Sequence, residues 1–391
     1  MHPAGTIERL QLAETARADE IRQGQDVVVT YSFTDPDHAH SHEGVTRTTI
    51  ARTLAAIKGC PFAGEYDPSA RYPGRVYFVP SDTLVGIEAA RALGVYTEDD
   101  LFGGVVPHSF VATKAITHPL VESGAEAPAG WSHGFAERVR DAVLPGFTVF
   151  TPRDARRAAV DLLAHGPVRL KPARGTGWRG QIVVTGPAEL EAALSAVEAA
   201  ELPCDGLVLE QNLRDVTTYS VGQVRVAGLL ATYCGTERAT TDNSGATVYG
   251  GSDLLVVRGD YDALLRFDLA PEVRLAVAQA RVYDMATQEF SGLFASRRNY
   301  DVLRGLDAEG GWRSGVLEQS WRLGGASGPE VAALAAFRAD PTLLAVHAWC
   351  VEVFGDGAEP PPQAIVHFRG VDDRVGSLTK YTLVEAYDST R

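Results

Sequence analysis

The sequence predicts a chain of α/β and α+β class: an N-terminal parallel α/β unit, then a small unit around a glycine-rich loop, then a larger α+β unit. Three observations carry that prediction. Strand-like and helical stretches alternate over residues 1–105, the pattern of a parallel sheet with crossover helices. A short apolar run, "VRLKP" (168–172), ends near a lysine and enters a loop with Gly175, Gly177, Gly180, Arg174 and Arg179 before a second apolar run. Further on, β-branched runs pair off across short turns, as antiparallel strands do.

The elements follow in order. "DVVVTYSF" and "RVYFVPSDTL" read as strands, and "EGVTRTTIARTLAAIKG" and "GIEAARALGV" as helices. "LFGGVVPHSFVATKAITHPLVESG" leads into the second unit, placed at 106–213. There "TPRDARRAAVDLLAHG" is a helix with Thr151 as N-cap and Pro152 in its first turn, closed near His165 and Gly166. Strands "VRLKP" and "QIVV", a helix "AELEAALSAVEAAE" and a strand "GLVLEQNL" follow. The third unit, 214–391, opens with the hairpin "TTYSVGQVRVAGLLATYCG". It continues with the helix "PEVRLAVAQARVYDMATQEF", the strands "NYDVLRGL" and "SGVLEQSW", and the helix "GPEVAALAAFRAD". The proline-rich stretch "GDGAEPPPQ" (355–363) is expected to mark a last boundary before a β-rich tail.

Composition limits the function. A chain of 391 residues exceeds one core, so two or three packed units are expected. With 45% apolar and 22% charged residues it reads as a globular protein, and a net charge of −14 argues against nucleic-acid or anionic-membrane partners. Any polyanionic ligand must therefore be met by a local cluster of positive groups. The four cysteines form no C-x-x-C pair, the N-terminus lacks an apolar signal core, and no run is long enough to span a bilayer. A cytoplasmic protein with reduced thiols is expected.

The glycine loop can approach an anion through backbone N–H groups that no Cβ obstructs, with Lys171 placed to reach a phosphate oxygen. It is not a G-x-x-x-x-G-K-[ST] loop, and a plain flexible hairpin is the alternative. Three histidines, His38, His40 and His42, alternate before Glu43. They form either a metal site or a polar loop before a helix. The stretch "TERATTDNSGATVYGGSDL", with Arg238, Asp242, Tyr249 and Ser252, is either a substrate loop or a hairpin connection.

Lys171 before its loop, Glu210 in "LVLEQNL", Asp301 in "YDVL" and "LEQSWRLGGAS" (317–327), in this order, resemble the ATP-grasp superfamily over about residues 106–335. The chain also resembles an uncharacterised bacterial group of ATP-grasp-like proteins. The family typically reads Glu, a β-branched residue, Asn, Pro, Arg, Pro and Gly-Gly-Ala-Ser. Here the run is Glu318, Gln319, Ser320, Trp321, Arg322, Leu323, Gly324, Gly325, Ala326 and Ser327. The resemblance implies ATP and Mg²⁺ as cofactors. Lys114 and Lys171 would bind the nucleotide, and the loop containing Arg174, Gly175, Thr176, Gly177 and Gly180 would cover the γ-phosphate. Glu210 would accept from the adenine amino group, Gln211 and Leu213 would complete the hinge, and Thr218 would meet the ribose. Asp301, Glu318 and Ser320 would hold the metal, with Ser320 standing where the family has Asn. Asn299 stands where relatives often carry arginine. Arg298 would face the other side of its strand, so Arg322 is the expected phosphoryl neutraliser. Ser327, in the Gly-Gly-Ala-Ser turn, opens a helix suited to an anion. Ser41 and Glu43 resemble the Ser-x-Glu substrate element of D-alanine ligase-like relatives, and Arg238 and Ser252 are further substrate candidates.

The implied activity is an ATP-dependent ligation of a carboxylate to an amine or thiol through an acyl phosphate. A phosphotransferase on the same fold and a nucleotide-binding scaffold with little turnover are the alternatives. Small-molecule substrates are the expected partners, and a homodimer is compatible with the resemblance.

Overall fold

The structure, a computed structural model, describes residues 25–33, 40–175, 180–196 and 201–387. Strands β1 (Val27–Tyr31), β2 (Phe62–Glu65) and β3 (Val76–Pro80) form a parallel sheet in the order β2-β1-β3. Helix α1 (His42–Lys58) crosses between β1 and β2. The Ser41 side chain accepts from the Gly44 N–H at its start, and Gly59 ends it with φ of 70°. The alternation read from the sequence is therefore present, with β2 as an extra strand.

After β4 (Leu84–Val85), α2 (Ile87–Ala92), β5 (Gly104–Val106) and α3 (His133–Val139), a four-stranded antiparallel sheet forms from β6 (Gly146–Val149), β7 (Val168–Pro172), β8 (Ile182–Val184) and β9 (Leu207–Gln211). Its order is β6-β9-β7-β8, with α4 (Pro152–Leu163), α5 (Pro187–Ala196) and α6 (Glu201–Asp205) alongside. The Thr151 hydroxyl accepts from the Asp154 N–H, and Pro152 stands in the first turn of α4. Val149, Ala155, Leu170 and Leu209 share the apolar core of this unit.

The rest of the chain folds around an eight-stranded antiparallel sheet. Its strands are β10 (Arg214–Val226), β11 (Leu229–Thr241), β12 (Thr247–Arg258), β14 (Arg297–Leu306), β15 (Trp312–Ser320), β16 (Ala345–Phe354), β17 (Ile365–Asp372) and β18 (Gly376–Ala386). The short β13 (Phe294–Ala295) joins β5 instead. The order is β15-β14-β10-β11-β12-β16-β18-β17. The β10–β11 hairpin turns on Ala227 and Gly228, both at positive φ, the backbone demanded by a two-residue turn that matches strand twist. Helices α7 (Tyr261–Leu264) and α8 (Pro271–Ala286) follow β12, and α9 (Ser327–Ala339) follows β15.

Strand alternation gives this sheet two different faces. Val224, Tyr233, Leu254 and Ala348 face α9 and α1, whereas Tyr219, Val221, Tyr300 and Val302 face α8. The linker 355–363 marks no boundary. It joins β16 to β17, and β18 then pairs with both, so the tail completes the same sheet. Among the described residues no helix is long and apolar enough to cross a membrane, and the four cysteines are free thiols.

Candidate active site

Beyond the end of α9, the α9-facing side of the large sheet becomes polar. Regular pairing continued from Val302–Val316 would bring Leu317 opposite Asp301. A one-residue register shift brings Glu318 there instead, and Asn299 then pairs with Ser320. The shift is a β-bulge, a device that re-aims a side chain. On the other side of β14, Ser220 of β10 lies opposite Asp301, and its hydroxyl accepts from Asn299 Nδ2 at 2.7 Å. Asp301, Glu318 and Ser320, the three expected metal residues, are thus brought together.

Lys114 reaches this face from a short helical turn that Thr113 caps. Its ammonium donates to Glu318 Oε2 at 2.9 Å and to the Gly175 carbonyl, with the side chain only 3% exposed. One lysine therefore ties the glycine-rich loop to a candidate metal carboxylate. Thr176 and Gly177 lie outside the described residues. Gly180 has φ of 72°, and Arg174 turns outward to Asp205 at 2.6 Å.

Lys171 is almost completely buried on β7, 2.7 Å from Glu210 Oε1 on β9, and His118 Nε2 lies 3.2 Å from Glu210 Oε2. Burial alone would raise the Glu210 carboxyl. The Lys171 ammonium and the His118 contact outweigh it and hold the group down at about 2. The geometry departs here from the expected adenine contact, because both Glu210 oxygens are already engaged inside the protein. The Gln211 N–H is likewise taken by the Pro145 carbonyl, and the Leu213 side chain packs with Leu144 and Leu303. Thr218 is half-buried on β10, opposite Leu303.

Arg297, not singled out in the sequence, is fully buried on the same strand face as Asn299 and Asp301. Its Nε donates to Glu330 of α9 at 2.8 Å, and its Nη1 to the Ser320 hydroxyl and to the carbonyls of Ser320 and Arg322. Two expected groups are placed elsewhere. Arg322 Nε lies 3.7 Å from Asp82, and its Nη1 donates to the Leu323 carbonyl. Ser327 is fully buried, with its hydroxyl accepting from the Gly324 N–H, so it closes a turn and is not presented to a ligand. Arg298 pairs with Asp284 on the opposite face, as alternation requires.

Among the substrate candidates, Arg238 and Ser252 lie on paired strands one register step apart. Ser41 caps α1, Glu43 is exposed, Arg238 pairs with Asp253 at 2.7 Å, and Ser252 is buried against the Tyr249 hydroxyl. The His42 backbone N–H donates to Asp372, while His38 lies outside the described residues. Glu237 was missed. It lies one alternation along β11 from Gly235, which pairs with Ser220, so it shares the face of Asp301. Its Oε2 and Asp301 Oδ1 are buried without a hydrogen-bond partner among the described residues. Burial first, then Glu318, push the Asp301 carboxyl up to about 7, and burial with Asp301 and Glu318 pushes Glu237 well above its usual range. Buried carboxylate oxygens with no donor suit a hard divalent cation. No three His, Cys, Asp or Glu side chains already surround one point among the described residues.

A protein-family model described as "Protein of unknown function (DUF3182)" matches residues 29–382. No curated protein matches the sequence. Among solved structures, a biotin carboxylase complex with β,γ-ATP from Campylobacter jejuni is 12% identical, with a TM-score of 0.50 over 93% of this chain and 87% of that one. An N5-carboxyaminoimidazole synthetase from Staphylococcus aureus complexed with ADP is 11% identical, with a TM-score of 0.50 over 93% of this chain and 94% of that one. Both are ATP-grasp enzymes, and at these identities the likeness is one of fold.

Proposed function

The chain belongs to the DUF3182 family, and from its fold and the geometry of its site we propose that it is a Mg²⁺- and ATP-dependent ligase. It would join a carboxylate to an amine or thiol through an acyl phosphate. The observation that carries this reading is the Asp301–Glu318 pair, set side by side by the bulge in β15 and tied through Lys114 to the glycine-rich loop.

In this reading Asp301 and Glu318 would hold the cation, with the Ser320 hydroxyl as a weaker neutral donor. ATP with Mg²⁺ would supply an electrophilic phosphoryl group of reduced negative charge. Lys114 and Lys171 would exchange their carboxylate partners for phosphate oxygens. The loop at 174–181 would close and exclude water. Residues 106–213 would serve as lid and hinge, residues 214–391 would carry the metal ligands, and residues 1–105 would help select the substrate. The protein's part is positioning and charge neutralisation, which is most of what phosphoryl transfer requires.

Product accounting tests the reading. With Mg-ATP and paired panels of carboxylates and amines or thiols, a ligase releases ADP and orthophosphate only when both substrates are present. ADP with a phosphorylated product would identify a phosphotransferase. A scaffold releases neither, a reading favoured only by the engagement of both lysines in ion pairs. Glu318→Gln is expected to lower turnover by about 100-fold or more at saturating ATP, because an amide cannot offset cation charge.

A further inference from the structure

We propose that Glu237 is an additional carboxylate ligand for the divalent cation, beside Asp301 and Glu318. The inference rests on the metal site of the reading above and concerns one residue of it.

Three independent observations point there. The first is charge. On this face Lys114 is committed to Glu318, Lys171 to Glu210 and Arg297 to Glu330. Arg238, the cation next to Glu237 in sequence, is turned to Asp253. Asp301 and Glu237 therefore share this face, each with a buried oxygen that has neither a hydrogen-bond partner nor a paired cation among the described residues. Two buried carboxylates so placed are costly unless a proton or a metal ion lies between them.

The second is space. On the strands that separate Glu237 from Asp301, Thr218 and Ser220 of β10 point to this face, and the position next to Glu237 on the same face of β11 is Gly235. A Cβ on Gly235 would collide with the Asp253 carbonyl oxygen, so no side chain can stand there to screen one carboxylate from the other. The third is the state of Ser320. Its hydroxyl accepts from Arg297 Nη1 at 3.3 Å, so a cation there would share the serine oxygen with a guanidinium. Glu237 supplies a negative oxygen in addition to those of Asp301 and Glu318.

The test is direct binding of Mn²⁺ to the full chain at saturating ADP, read by loss of the free-ion signal in electron paramagnetic resonance. Glu237→Gln keeps the volume and removes the charge, and it is expected to raise the Mn²⁺ dissociation constant at least tenfold. Glu237→Asp should fall between it and the unaltered protein. Mn²⁺ should also raise the melting temperature of the unaltered protein more than that of Glu237→Gln. If Glu237→Gln binds Mn²⁺ within twofold of the unaltered protein while Glu318→Gln does not, the inference fails and the metal site stands. If both bind normally, the metal site itself is misplaced and the inference falls with it. Should Glu237→Gln not fold, Glu237→Asp decides the matter, and unchanged Mn²⁺ binding there overturns the proposal.

Discussion

Lys171 and Glu210 form a buried ion pair in which each group depends on the other. Removing one partner of such a pair leaves an uncompensated charge in a poorly solvated place. Lys171→Ala is therefore expected to do two things. Nucleotide affinity should fall at least tenfold by isothermal titration, and stability should fall by about 3–5 kcal/mol in urea unfolding. Normal ATP affinity in a destabilised variant would reduce the lysine to a structural role. Acid should act on the same pair and on His367. The Glu210 pKa is depressed in the folded protein, so its contribution is present above about 4.5 and lost as pH falls toward about 2. His367 is buried, bonded to the Thr382 hydroxyl, and pushed down to about 3 by burial and then by Lys380. Its neutral form is favoured by folding, so stability is lost as pH falls below about 6.5, where the unfolded chain takes up the proton. The raised carboxyls of Asp301 and Glu237 act in the opposite sense over this range, so the His367 contribution is read by difference: His367→Gln should lose less melting temperature than the unaltered protein between about pH 6.5 and 5.

At the level of elements, α9 is fastened to the sheet by charge as well as by apolar packing. Glu330 receives Arg297 from β14 and the Tyr233 hydroxyl from β11 at 2.6 Å, with Arg297 and Glu330 both fully buried. Arg297 in turn holds the backbone of Ser320 and Arg322. Glu330→Ala should cost about 3–5 kcal/mol, since it strands a buried guanidinium. Tyr233→Phe removes a single hydrogen bond and should cost about 1–3 kcal/mol. Chemical denaturation of the two variants measures the difference. Equal, small losses would mean that apolar contacts alone hold the helix.

Across the whole molecule the C-terminal strands close the structure. β18 pairs with both β16 and β17, α1 packs near β17 and α9, and Asp372 accepts from the backbone of His42 at the start of α1. A chain ending at residue 356 would lose two strands, bare the edge of β16 and release the start of α1. It is expected to aggregate on expression. A soluble product with a cooperative melting transition would show that the tail is dispensable and that 355–363 is a true boundary.

Periodicity and local chemistry sufficed for what lies close along the chain. The parallel first unit, the Thr151 cap of α4, the β10–β11 hairpin and the opposite facing of Arg298 and Asp301 were all legible, because each depends on neighbours a few residues away. The acidic strand pair and its lysines could be named from order and resemblance. Their mutual arrangement could not, because a single-residue bulge decides whether Leu317 or Glu318 meets Asp301, and pairing register is set by the packed sheet. Glu237 was hidden for the same reason. Its strand neighbour Arg238 looked like the functional group, and only the alignment of β11, β10 and β14 turns the glutamate toward Asp301. The buried partners of Lys171, Glu210 and Arg297 come from segments distant in sequence. Desolvation and charge pairing in the folded core, which no local pattern encodes, assign those partners.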